Sequence, residues 1–371
     1  LYSGLVIGYL QGLEDDLLDL EVGDVQIYAP DYLDTPSIYS GIETPDSLLA
    51  TLNDLGYPAC PRLLGGALAA AEESSAGVAL RGVEVDLEKK VTLIAENIAE
   101  GAWLDSGDKK GVVIGRRLAM TLAVKPGDEI VLLTQAADGS IAHDLFRIRG
   151  VLLGIADGTD RTAIYMNGEA FRELMEFPEG IHQVIVRRPQ DIELEDAALA
   201  IREVAAGLDV KTWKELMPLL ATMLESTQGM IVIIFLVIYI AIAILVLNAM
   251  LMAVFERVRE FGILKAIGVG PFSVFGLIVV EAGLQTLAAI FCGLTLALPG
   301  MWYLSEVGFD VGSLGGMNVM GLAMRPVWNG IYTIDTIIVP IILLVAIVFC
   351  AVLYPALKAA LIRPVQAMHH Q

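Results

Sequence analysis

The charged side chains with the most informative spacing come directly after a long apolar run. Residues 230–255 hold no charged side chain, and Glu256, Arg257, Arg259 and Glu260 follow at once. A second apolar run begins near residue 272, so the charged segment lies between two runs that are long enough to cross a bilayer as helices. This arrangement indicates a membrane protein that a soluble partner grips at the charged segment.

The segment 256–268, ERVREFGILKAIG, is predicted to form a short amphipathic helix. Its apolar side chains recur every three residues, at Val258, Phe261, Leu264 and Ile267. Gly262 permits a close contact and Gly268 a sharp exit from the helix. One interpretation is a helix anchored by basic residues near anionic lipid. The other is a coupling helix docked in a groove of a cytoplasmic motor, and the two acids among the bases favour it.

Motifs for other chemistry are missing from the sequence. It contains no GxxxxGK[ST] phosphate loop, no GxSxG elbow and no HExxH pair, and its three cysteines do not form a CxxC pair. We therefore expect no catalytic residue, no metal site and no cofactor in this chain, so an energy source must act in trans.

Composition and charge point to a membrane protein with a large solvated part. Hydrophobic residues make up 56% of the chain and the mean hydropathy is +0.65, which is too apolar for an ordinary soluble domain. Acidic and basic residues balance in residues 229–371, so the whole net charge of −20 belongs to residues 1–228. Without a basic footprint for phosphates, nucleic-acid binding is disfavoured.

Three apolar segments, residues 230–255, 272–299 and 334–357, are predicted to span the membrane. Basic residues are concentrated in the connection after the first span and in the tail 358–371, whereas the connection 300–333 holds only one. By the positive-inside rule the first connection and the tail are cytoplasmic, and the outer loop 300–333 and the residues before 230 lie outside.

An outside domain needs a preceding span, and residues 1–10 are apolar but too few to cross. We interpret them as the outer half of a first transmembrane helix. The prediction is thus a four-span α-helical transmembrane domain, with residues 230–371 holding the last three spans, and an extracytoplasmic α+β domain over residues 11–228.

Within this domain the pattern predicts strands at 22–30 and about 76–86, and a β-α-β unit made of a strand at 181–187, a helix at 194–207 and a strand at 208–213. Asp138 and Gly139 are predicted to close a hairpin. An amphipathic stalk helix over 213–229 should run toward the first full span.

Three stretches carry a resemblance to a known family. ERVREFGILKAIG followed by LIVVEAGL, and the tail YPALKAALIRPVQAM, resemble the coupling and closing motifs of FtsX-domain ABC transporter permeases of the MacB and LolC/LolE type. The stretch GVVIGRRLAMTLAVKPGDEIVL resembles the external domain of the lipoprotein-releasing members. The family's usual Ile after the second Glu is Phe261 here.

The resemblance implies a permease subunit, not an enzyme, in the bacterial cytoplasmic (inner) membrane with its large domain on the periplasmic side. It implies a second permease copy, in a homodimer or a heterodimer, and a cytoplasmic ABC ATPase dimer that binds ATP and Mg. The external domain would combine a porter-like β-α-β part, about 20–86 and 180–213, with an inserted β-rich part, about 87–179. The implied ATPase-coupling residues are Glu256, Arg257, Arg259, Glu260, Phe261, Gly262, Leu264, Lys265 and Gly268.

The implied function is mechanotransmission that extracts lipoproteins or other amphipathic, lipidated cargo from the outer leaflet. Alternatives are a MacB-like exporter of small molecules or peptides that works with a periplasmic carrier or adaptor, and an FtsX-like regulator of a cell-wall hydrolase. Membrane lipids are expected partners in each case. The hairpin tip Asp138, Gly139 and Ser140 is a candidate contact for an external partner.

Glu281 lies about ten residues into the second apolar run, where a carboxyl is costly unless it is paired or faces protein. Two interpretations stay open. It is a functional acid inside the membrane, acting in packing or as a latch, or it reaches back to the interface near Lys265 or Arg257.

Overall fold

The computed structural model describes residues 2–72, 74–154, 157–177, 179–189, 191–310, 318–319, 322–323 and 327–362. Contacts divide the chain into a helical unit (residues 2–10, 222–310 and 327–362) and a sheet unit (residues 11–221, with 318–319 and 322–323). Its helices are α1 (Tyr2–Leu17), α2 (Pro45–Asp54), α3 (Val85–Val91), α4 (Arg116–Leu122), α5 (Asp157–Thr162), α6 (Gly168–Met175), α7 (Leu194–Val204), α8 (Trp213–Leu216), α9 (Pro218–Glu256), α10 (Val258–Ala266), α11 (Pro271–Glu306) and α12 (Ile334–Leu361).

A π-helical turn (Leu18–Val22) and a 3-10 turn (Ile94–Glu96) accompany these helices. The strands are β1 (Val25–Tyr28), β2 (Ala59–Ala71), β3 (Ser74–Val83), β4 (Ile98–Gly101), β5 (Gly111–Ile114), β6 (Glu129–Gln135), β7 (Ile141–Leu152), β8 (Ala163–Asn167), β9 (Gln183–Val186), β10 (Asp209–Thr212), β11 (Phe309–Asp310), β12 (Asn318–Val319), β13 (Leu322–Ala323) and β14 (Val327–Trp328).

Three helices of the described residues are long and apolar enough to cross a membrane: α9, α11 and, over Ile337–Leu361, α12. Each predicted span lies inside one of them. The chain is therefore a membrane protein, and the first of four spans stays a prediction. α11 continues past Pro299 to Glu306, seven residues beyond the predicted end of that span.

The sheet unit is built on two interlocked β-α-β units. Its main sheet has the order β10-β1-β9-β2-β3-β8-β5-β7-β4, and β6 pairs with β2 and β7. β9 lies between β1 and β2 and is antiparallel to both, so β1-α2-β2 is a split β-α-β unit. β1 in turn lies between β9 and β10, so β9-α7-β10 is a second one. All four residues of β1 and of β9 are buried, as central strands require.

β2 joins this part of the sheet to the rest. It pairs with β9 at its start, with β3 over ten residues, and with β6 near its end. The segment between β2 and β9 supplies β3 to β8. In it, β6 and β7 form a hairpin whose register runs from Glu129 opposite Arg147 to Gln135 opposite Ile141.

The helix expected over 213–229 is divided at Met217. α8 ends at Leu216 and α9 begins at Pro218, with Met217 outside the helical conformation (φ −126°, ψ 61°). Proline disfavours the helical conformation in the residue before it and has no N–H to donate, so Pro218 begins a new helix.

A buried ion pair lies in the sheet unit where β2 meets α3. The Arg62 guanidinium pairs with the Glu88 carboxylate, and their side chains are 2% and 0% exposed. Thr92 Oγ1 donates to Glu88 Oε1 at 2.8 Å, and Arg62 Nη1 donates to the Glu21 carbonyl oxygen at 3.0 Å. Burial alone would raise the pKa of Glu88, but Arg62 and the hydrogen bonds hold it below its usual value. Both groups therefore stay charged inside the fold.

Replacing Glu88 with Ala should leave the Arg62 guanidinium buried without a counter-ion. We expect E88A to lower the free energy of unfolding by about 3–5 kcal/mol. The measurement is denaturant unfolding of the full chain in detergent, followed by tryptophan fluorescence. The control is E173A, which removes one partner of the exposed Lys109–Glu173 pair and should cost less than about 1 kcal/mol. Wild-type stability in E88A would contradict this account.

Candidate coupling site

The segment between α9 and α11 is a short helix enclosed by two sharp turns. α9 ends at Glu256, and Arg257 leaves the helical conformation (φ −104°, ψ 9°) before α10 begins. At the other end Gly268 N donates to Lys265 O and Val269 N to Leu264 O, with Gly268 at φ +103°. These bonds are a Schellman motif, and glycine adopts its left-handed conformation without strain. Pro271 then begins α11, with its φ preset for the first helical position.

One side of α10 packs against the two helices that follow. Phe261 is 2% exposed and belongs to one apolar cluster with residues of all three long helices. The other members are Val254, Val274, Ile278, Ala282, Val352, Ala356 and Ala359. Val258 and Gly262 are also buried, and Leu264 packs against the cluster. Of the nine predicted coupling residues, Phe261, Gly262 and Leu264 therefore hold α10 in place.

Arg257 connects the start of α10 to α11. Its Nη1 donates to Glu281 Oε1 at 2.9 Å and Oε2 at 2.8 Å, while its Nε donates to Glu260 Oε2 at 3.0 Å. The guanidinium carbon lies 5.6 Å from the Phe261 ring centroid. Glu281 thus reaches back to Arg257, a contact that both interpretations of this acid allow.

Lys265 connects the end of α10 to the end of α12. Its Nζ donates to the carbonyl oxygens of Ala360 at 2.5 Å and Ile362 at 2.7 Å. The last carbonyls of a helix lack intrahelical partners and carry partial negative charge, so an ammonium group suits them. The sequence carries no sign of this contact, because the partners are backbone atoms about a hundred positions away.

The opposite side of α10 is exposed and mixes charged with apolar side chains. Glu256, Arg259 and Glu260 are exposed. Ile263 and Ile267 are 50% and 74% exposed, and Phe272, at the start of α11, is 90% exposed. The predicted stripe assigned Ile267 to the same face as Phe261, but Ile267 lies outward, because three-residue steps drift around a helix of 3.6 residues per turn. Ile263 and Phe272 were not predicted, although the four-residue spacing of Ile263 and Ile267 could have revealed the first.

The other predicted contact, Asp138, Gly139 and Ser140, lies at the tip of the β6–β7 hairpin. Ser140 N donates to Asp138 Oδ1 at 2.8 Å, and Gly139 has φ +87°. Hydrogen bonds from Ser140 hold the pKa of the Asp138 carboxyl below its usual value. The tip is exposed and is ordered by its own hydrogen bonds.

Several known proteins are similar to this chain. Residues 231–364 match the family described as FtsX-like permease C-terminal. The chain is 32% identical over 216 residues to an uncharacterized ABC transporter permease of Methanocaldococcus jannaschii, over 54% of this chain and 51% of that permease. It is 24% identical over 307 residues to the lipoprotein-releasing system transmembrane protein LolC of Xylella fastidiosa, over 79% of this chain and 73% of LolC.

The chain thus spans about half the length of the archaeal permease and nearly three quarters of LolC. Among solved structures, the periplasmic region of MacB from Actinobacillus actinomycetemcomitans has a TM-score of 0.40 and 12% identity, over 56% of this chain and 97% of that one.

The Arg257–Glu281 pair can be tested by exchanging its charges. R257E gathers acidic side chains at one place and E281R puts two arginines together, so each should lower stability, by about 1 kcal/mol for a pair this exposed. The double variant R257E/E281R restores opposite charges and should regain most of the loss. The measurement is the thermal midpoint of the detergent-solubilised chain. Strictly additive losses would show that the two side chains do not interact.

Proposed function

This chain belongs to the FtsX-domain ABC transporter permeases of the MacB and LolC type, and we propose that it is the subunit moved by ATPases in separate chains. The observation that carries the proposal is the two-sided α10. Its inner side is fixed by Phe261 and Lys265, and its outer side presents Arg259, Ile263 and Ile267. A helix of this kind receives a partner on one side and passes its displacement to the helices behind it.

The partner surface follows from the exposed side chains. Exposed apolar groups next to mixed charges are typical of a docking surface, with the apolar groups supplying affinity and the charges supplying register. The partner proposed is a cytoplasmic ABC ATPase dimer, which would supply the ATP and Mg. An ATPase dimer would need two such surfaces, one for each of its subunits. Two permease copies would supply them, in a homodimer or in a heterodimer.

The membrane arrangement proposed has four spans, with a first span ending in α1 and the last three in α9, α11 and α12. Family membership and the apolar helices support a place in the cytoplasmic (inner) membrane. Arg257, Arg259 and Lys265 lie in the short connection around α10, which favours the cytoplasmic side for the coupling site. The sheet unit would then be periplasmic.

The cargo proposed is a lipoprotein or another lipidated, amphipathic molecule extracted from the outer leaflet. The name of LolC states lipoprotein release, and the alignment with LolC takes in both the sheet unit and the helices of this chain. A MacB-like exporter and a regulator of a cell-wall hydrolase remain alternatives. Lipid or lipopeptide that co-purifies with the chain would favour release, whereas binding to a hydrolase without cargo would favour regulation.

Loss of the exposed apolar side chains should detach the ATPase. We expect I267A/F272A to reduce the amount of co-expressed ATPase that co-purifies with the permease by about tenfold, because exposed apolar anchors dominate such interfaces. Neither side chain contributes to the buried cluster, so the thermal midpoint should stay at the wild-type value.

The matched control is F291A, which removes a 72% exposed Phe from the middle of the same helix, α11. It should retain the ATPase. Equal recovery of ATPase with I267A/F272A and F291A would reject this surface as the coupling site.

The hairpin tip is proposed as a contact for a periplasmic carrier or adaptor. Deleting residues 138–140 leaves a two-residue connection between β6 and β7, which a hairpin accepts. Assembly with the ATPase should survive, and binding of a soluble carrier should weaken by about tenfold or more, measured by surface plasmon resonance on the full complex. Unchanged carrier affinity would exclude the tip.

A further inference from the structure

Residues 11–221 join the helices by two covalent connections, and the two connections meet. The first is the entering segment (residues 18–24), which follows α1 and leads into β1. The second is the departing segment (residues 212–217), which follows β10 and leads into α9. β1 and β10 are neighbours in the sheet, with Val25 opposite Thr212.

Asp24, the last residue of the entering segment, bonds to the departing segment and to the end of β9. Its carbonyl oxygen accepts from Trp213 N at 3.1 Å, and its own N donates to Val186 O at 3.0 Å. Its carboxylate accepts from Arg188 N at 3.0 Å and Arg188 Nε at 2.9 Å, and Arg187 Nη1 lies 3.3 Å from it. The side chain is only 4% exposed. A buried carboxylate with several charge-assisted bonds fixes the groups around it.

The rest of the entering segment has little freedom to shift. The Glu21 carboxylate pairs with Arg81 and accepts from Thr159 Oγ1 at 2.5 Å. Leu93 N donates to Asp19 O at 2.7 Å. Gly23 has φ +67°, and a Cβ there would lie 2.4 Å from Ile185 Cγ2. The π-helical turn after α1 is therefore bound to several elements of the sheet unit.

The departing segment is equally fixed. Thr212 and Glu215 form a reciprocal capping box at the start of α8, and Trp213 is 2% exposed. Arg202 of α7 donates to Glu215 at 3.2 Å. The hydrogen bond between Trp213 N and Asp24 O thus joins two segments that are each rigid by themselves.

We propose that Asp24 is a positioning residue that locks the entering and departing segments together, so that α1 and α9 drive the sheet unit as one body. The inference rests on the proposed function, because the lock matters only if the helices are moved by an ATPase. Without it, the two segments could move relative to each other, and a displacement of one helix would reach only its own segment. With it, the displacement reaches the sheet.

The test uses D24N in the full permease–ATPase complex, reconstituted in proteoliposomes. Asparagine keeps the shape but removes the charge that holds Arg188. Amide hydrogen exchange of the peptides covering 18–28 and 209–217 should rise together by about tenfold, and further during ATP turnover. ATP hydrolysis should stay near the wild-type rate, while release of a fluorescent triacylated peptide per ATP should fall about tenfold. The control is D209N, which removes the partner of Lys211 at 3.2 Å and should match wild type in every readout.

A rescue separates the lock from a general loss of stability. Ile27 and Val210 are opposite each other in β1 and β10, so I27C/V210C can be oxidised to a disulfide that ties the two connections without Asp24. Added to D24N, the oxidised staple should restore release per ATP, and its reduction should abolish the rescue. The oxidised wild-type complex controls for the oxidant.

Three results would overturn the proposal: unchanged exchange of the 209–217 peptide in D24N, release per ATP equal to D209N, or no rescue by the oxidised staple. Failure of the proposed function would look different. In that case ATP would leave the exchange of α10 unaltered even in the wild-type complex, while the exchange of 18–28 and 209–217 without ATP would still report whether Asp24 joins the two segments.

Discussion

A helix that receives force from another chain can pass it on only if it cannot slide over the helices behind it. α10 meets this requirement at both ends and along one side. At the start of α10, Arg257 is bonded to Glu281. At the end of α10, Lys265 is bonded to the last carbonyl groups of α12. Phe261 lies between them in the cluster shared by α9, α11 and α12. Ile263 and Ile267 are exposed because they lie four positions apart on the side of the helix that faces away from this cluster, and Phe272 is exposed at the start of α11.

The sheet unit has the same requirement for rigidity and meets it with buried charges. Arg62 and Glu88 lose nearly all contact with water, and that loss is offset only because each finds a partner of opposite charge and further hydrogen bonds. Replacing such a pair by apolar residues often leaves stability unchanged, whereas removing one partner alone leaves the other charge buried and unpaired. Arg62 also bonds the Glu21 carbonyl, which places the entering segment relative to β2.

Sequence patterns foresaw the parts of this structure that depend on local spacing. The long apolar runs, the short helix before Gly268 and the strand–helix–strand order of β9, α7 and β10 all follow from periodicity and turn residues. β2 was not predicted, because its sequence ACPRLLGGALAAA is rich in Ala and Gly, which are depleted in strands. It is a strand because β3, β6 and β9 supply its hydrogen bonds, and two of these partners, β6 and β9, lie far along the chain. The bonds of Lys265 to Ala360 and of Asp24 to Trp213 could not be predicted either. They involve backbone donors and acceptors, which nearly every residue type provides, so the sequence does not distinguish these partners.

In both units, polar bonds act where apolar packing does not specify the position of one segment relative to the next. In lipid, one apolar contact replaces another at little gain, so the cluster around Phe261 holds helices close without fixing how far each has turned or slid. The pair of hydrogen bonds from Arg257 to the two carboxylate oxygens of Glu281 has one favourable geometry, so it does fix the position of one helix relative to the other. In the sheet unit the connections are short segments at the ends of strands, and the Asp24 carboxylate adds bonds of defined direction to their apolar contacts. Within each unit, directional bonds therefore fix how neighbouring segments are oriented, and the apolar surfaces beside them hold these segments close together.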